Sequence, residues 1–428
     1  EAVALHRDAK PAEAERRLNR LRAALPDHPD VCHLLGIVRL ALARPLEAVA
    51  PLRAALAAAE KNRPDILPGV LNALGSALRR IDKPDEALAV LGRAAALSPG
   101  DADVWFNLGN ARADRGRVRD AAECFRAATR LAPRDAGIAF ALGDALARGG
   151  DKDGAKQAYE AAIALDPGHV RAHSCLAAIY IERAELAAGR AELEKALALD
   201  PDHAKTHVNL GACHAMAGDA DAAVAATTRA LALDPDMAEA HSNLVHMMNY
   251  SDRCSADAIL GEARNWNARH AAPLAARIEP PANGRDPERR LKIGYVAGDF
   301  RTHPVGWFTL GLFADHDAGA VETFVYMTLP LTDDLTERLR ARVDHWRDAA
   351  GLAKTELAQA IRADGIDILV DMAGHTAENG LAALAERPAP IQAVSGGVAG
   401  TTGVDAVDYI LADRFEIPPG HERFYSES

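Results

Sequence analysis

The sequence has no apolar run approaching 18 residues, so it offers no candidate for a membrane-spanning helix. It has no excess of positive charge either. Its formal charge is −12 and its pI about 5.7, which argues against nucleic acid as a partner. The first residues show neither a basic n-region nor an apolar h-region, so no secretory signal can be read there. Cysteine is scarce. The five (Cys32, Cys124, Cys175, Cys213 and Cys254) are widely spaced, odd in number and form no CxxC pair, which argues against a disulfide framework and a zinc site. They read as small buried thiols in a reducing, cytoplasmic setting. No HExxH spacing suggests a metal, and no phosphate-binding loop or GxGxxG fingerprint is present.

What the sequence does have is a repeat. Leu35-Gly36, Leu74-Gly75, Leu108-Gly109, Leu142-Gly143, Leu176-Ala177, Leu210-Gly211 and Leu244-Val245 recur, with 34-residue intervals after a first step of 39. Pro99, Pro133, Pro167, Pro201 and Pro235 keep the same beat, as do Ala94, Ala128, Ala162, Ala196 and Ala230. Each unit reads as two helices separated by a short break such as Arg115-Gly116-Arg117. The glycine lets the first helix approach the second, alanines such as Ala121, Ala155 and Ala223 receive it, and proline ends the unit. The pattern strongly resembles the tetratricopeptide repeat, whose helix pairs stack into a solenoid. About six full units follow a partial one over residues 1–250. The long first step is an insertion in "AAAEKNRPDILPG".

After Tyr250 the beat stops. "SADAILGEARNWNARHAAPLA" predicts one more helix with Trp266 on its apolar face, and "RIEPPANGRDPERR" a linker, so that residues 251–285 join two domains. From 286 to 428 apolar strand-length runs alternate with helices: "LKIGYVAG", "TFVYMTL", "IDILVDMAG", "PIQAVSG" and "DYILAD" are strands. "DDLTERLRARV" and "KTELAQAIRADG" are helices, the second capped by Gly365. This alternation predicts a parallel sheet covered on both faces, with ligands at the carboxyl ends of its strands. His303 in "GDFRTHP" and His375 in "DMAGHT" both fall on that rim. "GGVAGTTG" (396–403) falls there too and reads as a tight turn.

The stretches "LKIGYVAGDFRTHPVGWF", "GIDILVDMAGHT", "ERPAPIQA", "GTTG" and "DYILADRFEIPPGHERFYSE", joined to the repeats, resemble the bacterial branch of protein O-GlcNAc transferases of glycosyltransferase family 41, including the SPINDLY-like enzymes. The resemblance implies an α-solenoid followed by the first Rossmann-like lobe of a two-lobed, GT-B glycosyltransferase. It implies metal-independent, inverting transfer of a sugar from a nucleotide donor, UDP-N-acetylglucosamine foremost, to Ser or Thr of a polypeptide. No cofactor is implied. The partners implied are that donor and an acceptor polypeptide, and neither nucleic acid nor membrane. The family's "DF…HP" histidine maps onto His303 as a base or acceptor-side contact, with Asp299 and Thr302 as groups that fix its ring. The family's asparagine ladder, which holds acceptor polypeptides, maps onto Asn107, Asn209 and Asn243, interrupted by Ala73, Ala141 and Cys175. His375 is a further acceptor-side candidate. The bland readings stand beside these: solvated asparagines, and a His303 that only begins a helix.

Two departures from the family are expected to matter. Ser395, Val398 and Ala399 stand where family members carry a Trp, a Tyr and a Pro, and the donor-binding lobe is expected beyond Ser428. The alternative reading is a repeat adaptor with a residual α/β domain that catalyses nothing.

Overall fold

The computed structural model describes residues 10–284, 286, 288–376, 379–395 and 400–428. Val398 and Ala399, on which one expected departure rests, lie outside them, as do the first nine residues of the partial repeat. By the density of its internal packing the chain divides into two compact units, Glu1–Glu182 and Arg183–Ser428.

Among its described residues the first unit has helices joined by turns and no strand, and it is built from hairpins of the expected register. Helix Leu67–Arg80 packs on Pro84–Leu97, Ala102–Asp114 on Val118–Leu131, and Ala136–Arg148 on Lys152–Leu165. The repeat glycine sits where the two helices touch. A Cβ on Gly75 would fall 2.3 Å from Leu91 Cγ, and one on Gly109 2.7 Å from the Phe125 ring. Gly36 meets Leu52 and Gly143 meets Tyr159 in the same way, always sixteen residues on. The space the glycine leaves open is filled by a large side chain of the second helix and not, as the sequence pattern suggests, by the repeat alanines. Ala94, Ala121, Ala128, Ala155 and Ala162 are fully buried along these contacts. The insertion after Leu35 is absorbed mainly as an extra helical turn: Pro45–Asn62 has 18 residues where Pro84–Leu97 has 14.

The break between paired helices has a register of its own. Ala43, Asp82, Gly116 and Gly150 all take left-handed backbone, with φ of 57°, 56°, 69° and 85°. Only glycine adopts this conformation without a Cβ clash. The hairpin turn is thus common to all these repeats, and two of them form it with a residue that resists it.

The second unit begins with four helices of repeat type, Leu186–Leu199, Ala204–Met216, Ala220–Leu233 and Ala238–Met248. Helix Ala256–Trp266 follows, continued by a π turn Asn267–Ala271 and a 3-10 turn Ala272–Arg277. The repeat register supplies its own measure of change here. His207, six residues beyond Pro201, bonds the proline carbonyl at 2.9 Å, but His241, six beyond Pro235, turns instead to Glu262 (2.8 Å) and His270 (3.0 Å). Trp266 is buried, as its place in the helix pattern predicts, and its Nε1–H donates to Ala238 O at 3.1 Å.

Beyond the linker lies a six-stranded, wholly parallel sheet: β1 (Leu291–Ala297), β2 (Val321–Met327), β3 (His345–Asp348), β4 (Ile368–Asp371), β5 (Ile391–Ser395) and β6 (Tyr409–Leu411). Their order is β3-β2-β1-β4-β5-β6. Alternate residues of each strand face opposite cores, so Val296, Phe324 and Tyr326 pack with Trp266, Ile361 and Leu384, while Tyr295, Val325 and Met327 pack with Phe300, Phe313 and Leu339. Helix Lys354–Asp364 ends, as expected, on Gly365 with φ 70°. The edge strand β3, "HWRD", adds a sixth to the five that the sequence pattern predicts. Among the described residues no helix is long and apolar enough to cross a membrane.

The left-handed turns give a direct test. Ala43→Gly should raise stability by roughly 1 kcal/mol and Gly116→Ala lower it by a similar amount, read from chemical unfolding midpoints. Equal and negligible shifts would show that these turns carry no strain.

Candidate active site

The strand order reverses between β1 and β4, which pair directly from Ile293↔Ile368 to Val296↔Asp371. In an open parallel sheet this is where a crevice opens beyond the carboxyl ends of the strands. The segment leaving β1 is "GDFRTHP" and the segment leaving β4 is "DMAGHT".

The turn after β1 is pinned by its middle. Phe300 is fully buried against Phe313 and Trp346, so Asp299 and Arg301 on either side reach the partly exposed surface. Gly306 is required where it stands, because a Cβ there would fall 2.0 Å from Arg301 O. Arg301 Nε donates to Asp299 Oδ1 at 3.1 Å. Thr302 does not bond His303: its N–H donates to Asp333 Oδ2 at 2.6 Å. Asp333 also caps helix Asp334–Arg340 through Thr336 N–H, and these amides, with Thr302 foremost, hold its carboxyl well below the ordinary carboxylate range.

His303 is the N-cap of helix Pro304–Ala314, in extended backbone (φ −153°, ψ 154°), and its side chain is 38% exposed. Its Nδ1 accepts a hydrogen bond from Val305 N–H at 3.3 Å and lies 3.9 Å from Asp299 Oδ2. A neutral imidazole carries one proton. While Nδ1 serves as the cap's acceptor, that proton resides on Nε2, and the exposed ring edge is a donor. A proton on Nδ1 would instead face Asp299 and leave Nε2 as the acceptor. The cap and the carboxylate thus compete for the same nitrogen. The structure brings His303 and Asp299 together and leaves Thr302 as a backbone anchor of the turn.

The loop after β4 is more enclosed. Asp371 is fully buried and accepts hydrogen bonds from Gly374 N–H (2.5 Å) and Ala373 N–H (3.3 Å). Burial pushes its carboxyl up to about 6 despite those amides. His375 is 4% exposed. Its Nδ1 meets Ser242 Oγ at 3.2 Å, its Nε2 meets Thr402 O at 2.8 Å, and its ring stands edge-on to Trp266. Burial lowers it to about 4. Contact with an acceptor would require this packing to open. The described part of "GGVAGTTG" is likewise committed to the interior. Gly403, at φ 69°, comes so close to the Ala256–Trp266 helix that a Cβ would lie 2.3 Å from Ala263 C. Glu427 binds Thr401 Oγ1 and Thr402 N–H, both at 2.7 Å.

The asparagines differ among themselves. Asn107 Nδ2 donates to Asn72 Oδ1 at 2.9 Å, linking adjacent repeats through a residue the sequence pattern did not single out. Asn209 is half-buried. Asn243 is exposed and lines a cavity of about 200 Å³ with Gly211, Met216 and Met247. Asp333 and Asp371 were also missed. A signal existed for both: an Asp three residues ahead of Thr at a helix start, and a charge ending an apolar strand run. All five cysteines are free, three of them buried.

Asp371 and His375 have opposite linkage to pH. With its carboxyl raised, Asp371 makes the native state hold more protons than the unfolded chain between about pH 4 and 6, so stability falls as pH rises there. With its ring lowered, His375 makes the unfolded chain hold more protons between about pH 4 and 6.5, so stability rises with pH. Each masks the other in the native protein. Asp371→Asn should therefore unmask a rise of about 2–3 kcal/mol across this window, and His375→Gln a fall of similar size. Unfolding curves of each variant from pH 4 to 7 check both signs, and parallel profiles would contradict them.

Residues 275–428 match the model for glycosyl transferase family 41, and residues 68–111, 108–170 and 176–238 match tetratricopeptide repeats. A probable UDP-N-acetylglucosamine–peptide N-acetylglucosaminyltransferase SPINDLY from Petunia hybrida is 35% identical over 184 residues, covering 42% of this chain and 20% of the relative. Its Arabidopsis thaliana counterpart is 36% identical over 176 residues, covering 40% and 19%. The match spans about a fifth of the length of these curated relatives. Among solved structures, a mutant O-GlcNAc transferase of Thermobaculum terrenum superposes with a TM-score of 0.64 at 36% identity, covering 68% of this chain and 56% of that one. The chain thus carries a glycosyl transferase family 41 domain over residues 275–428, preceded by an array of tetratricopeptide repeats.

Proposed function

We propose that this chain belongs to a protein O-glycosyltransferase that moves a sugar, N-acetylglucosamine foremost, from a nucleotide donor to Ser or Thr of a polypeptide held by the repeats. The observation that carries the reading is the Asp299–His303 pair at the β1/β4 switch point of a family 41 domain. The relatives' names supply the donor and the peptide acceptor.

In the proposed reaction the acceptor hydroxyl oxygen attacks the anomeric carbon from the face opposite the leaving group. The bond to the diphosphate breaks with its electron pair going to the phosphate oxygen, and the configuration inverts. The hydroxyl proton must go to a base, and His303 Nε2 is the candidate. To accept it, the ring must carry its own proton on Nδ1, release Val305 N–H and turn that proton toward Asp299. Thr302, held by Asp333, fixes the turn from which His303 projects. The scheme needs no metal, provided side chains and amides meet the leaving charge. On the acceptor side, Asn107, Asn209 and Asn243 offer amides that both donate and accept, suited to a polypeptide backbone. His375 joins the acceptor side only if its loop opens. The free cysteines accord with a cytoplasmic setting.

The cap and the base roles of His303 are separable. Asparagine is a good N-cap but cannot take up a proton near neutral pH. In the full-length protein, His303→Asn should keep its thermal stability, hold acceptor peptide normally and lose about 10²–10⁴-fold in transfer. Asp299→Asn should lose less. Transfer by His303→Asn at the native rate would return His303 to a purely structural role.

A further inference from the structure

A second crevice lies at the opposite, amino ends of the strands. Here linker residues 279–284 lie over the starts of β1 and β4 and enclose a cavity of about 440 Å³. The linker is tied down by Asn283, whose Nδ2 donates to Gly365 O (3.0 Å), Ile366 O (3.1 Å) and Asp367 Oδ1 (2.7 Å). Four cationic side chains and two carboxylates line the cavity, and a third carboxylate, Asp408, holds Arg387, which leaves a local excess of one positive charge in a chain of net charge −12.

Two of the cations are neutralised. Arg289 forks onto Asp367 at 2.6 and 2.5 Å, and Arg387 onto Asp408 at 2.8 and 3.0 Å. Lys292 and Arg362 are not matched in this way. Lys292 Nζ gives one hydrogen bond to Asp364 O at 2.8 Å and stands over the Phe324 ring, so it is held in place while most of its donor capacity stays in the cavity. Arg362 donates to Glu386 O at 3.0 Å, and its nearest carboxylate, on the largely exposed Glu279, is 4.0 Å away.

We propose that this crevice binds the phosphate monoester of a small organic molecule, with the phosphate between Lys292 and Arg362 and the organic part on Pro280, Pro281 and Pro388, which line the same cavity. A phosphate monoester carries close to two negative charges at neutral pH, and the Lys292 ammonium and Arg362 guanidinium, which no forked carboxylate neutralises, face it together. A positioned ammonium and a guanidinium are the donors such a group takes. A cavity of about 440 Å³ suits a small phosphorylated ligand. The site is remote from the β1/β4 rim along the strands and does not depend on the sugar-transfer reading.

Isothermal titration of the 428-residue chain with AMP and with inorganic phosphate tests this. Saturable one-to-one binding is expected, tighter for AMP, with phosphate displacing it. Lys292→Met and Arg362→Met should each weaken binding by about tenfold or more. Glu279→Gln, on an exposed side chain that leaves the fold untouched, should tighten it. Absence of saturable binding at millimolar ligand would overturn the proposal, as would unchanged affinity in all three variants. Equal affinity for AMP and phosphate would overturn the role of the proline lining.

Discussion

Within the second compact unit, the buried indole of Trp266 is the contact on which the arrangement of the site depends. It belongs at once to the repeats and to the sheet. Its Nε1–H is held by Ala238 O on the last repeat helix, and its ring packs in the core formed by Val296, Phe324, Leu369 and Val394. His375 closes the same joint, standing on the indole and bonding Ser242 on that repeat helix and Thr402 beyond β5. A tryptophan of this kind buries more apolar area than any other side chain and still needs one partner for its N–H. Here that partner is a repeat carbonyl. The last repeat helix and the strands of the sheet are consequently parts of one core.

On that frame the two loops at the switch point have different characters. The β4 loop is sealed, with a buried carboxylate and a buried imidazole whose preferences for protons oppose one another. The β1 turn is open at its surface and anchored beneath by Phe300, Gly306 and the Asp333 carboxylate. His303 stands where the sealed structure ends. Its Nδ1 lies between a capping bond and a carboxylate at 3.9 Å, so the nitrogen that carries the ring proton decides whether Nε2 gives or takes a hydrogen bond.

Much of this was legible in the sequence because it rests on periodicity. The glycine contacts to Leu91 and Phe125 follow from a 34-residue register that leaves no other place for them. Five of the strands are apolar runs of the right length. The sixth, β3, was missed because "HWRD" lies at the sheet edge, where two of its four residues are exposed and no apolar pattern is needed. Site residues were legible as positions and not as environments. His303 and His375 look alike in sequence, each in a turn after a strand, but one is partly exposed and the other enclosed by Trp266, Ser242 and Thr402. That difference comes from partners more than 25 residues away, which no local pattern reports. The Asn107–Asn72 bond was hidden for the same reason.

The claim that the repeats and the sheet share one core through Trp266 is tested most directly by hydrogen exchange. Trp266→Ala removes a large buried ring at a cost of about 3–5 kcal/mol. The amides of Ala238–Met248 and those of β1 should then lose protection together and by the same free energy. Loss confined to β1, with the repeat helix exchanging as in the native protein, would contradict a common core.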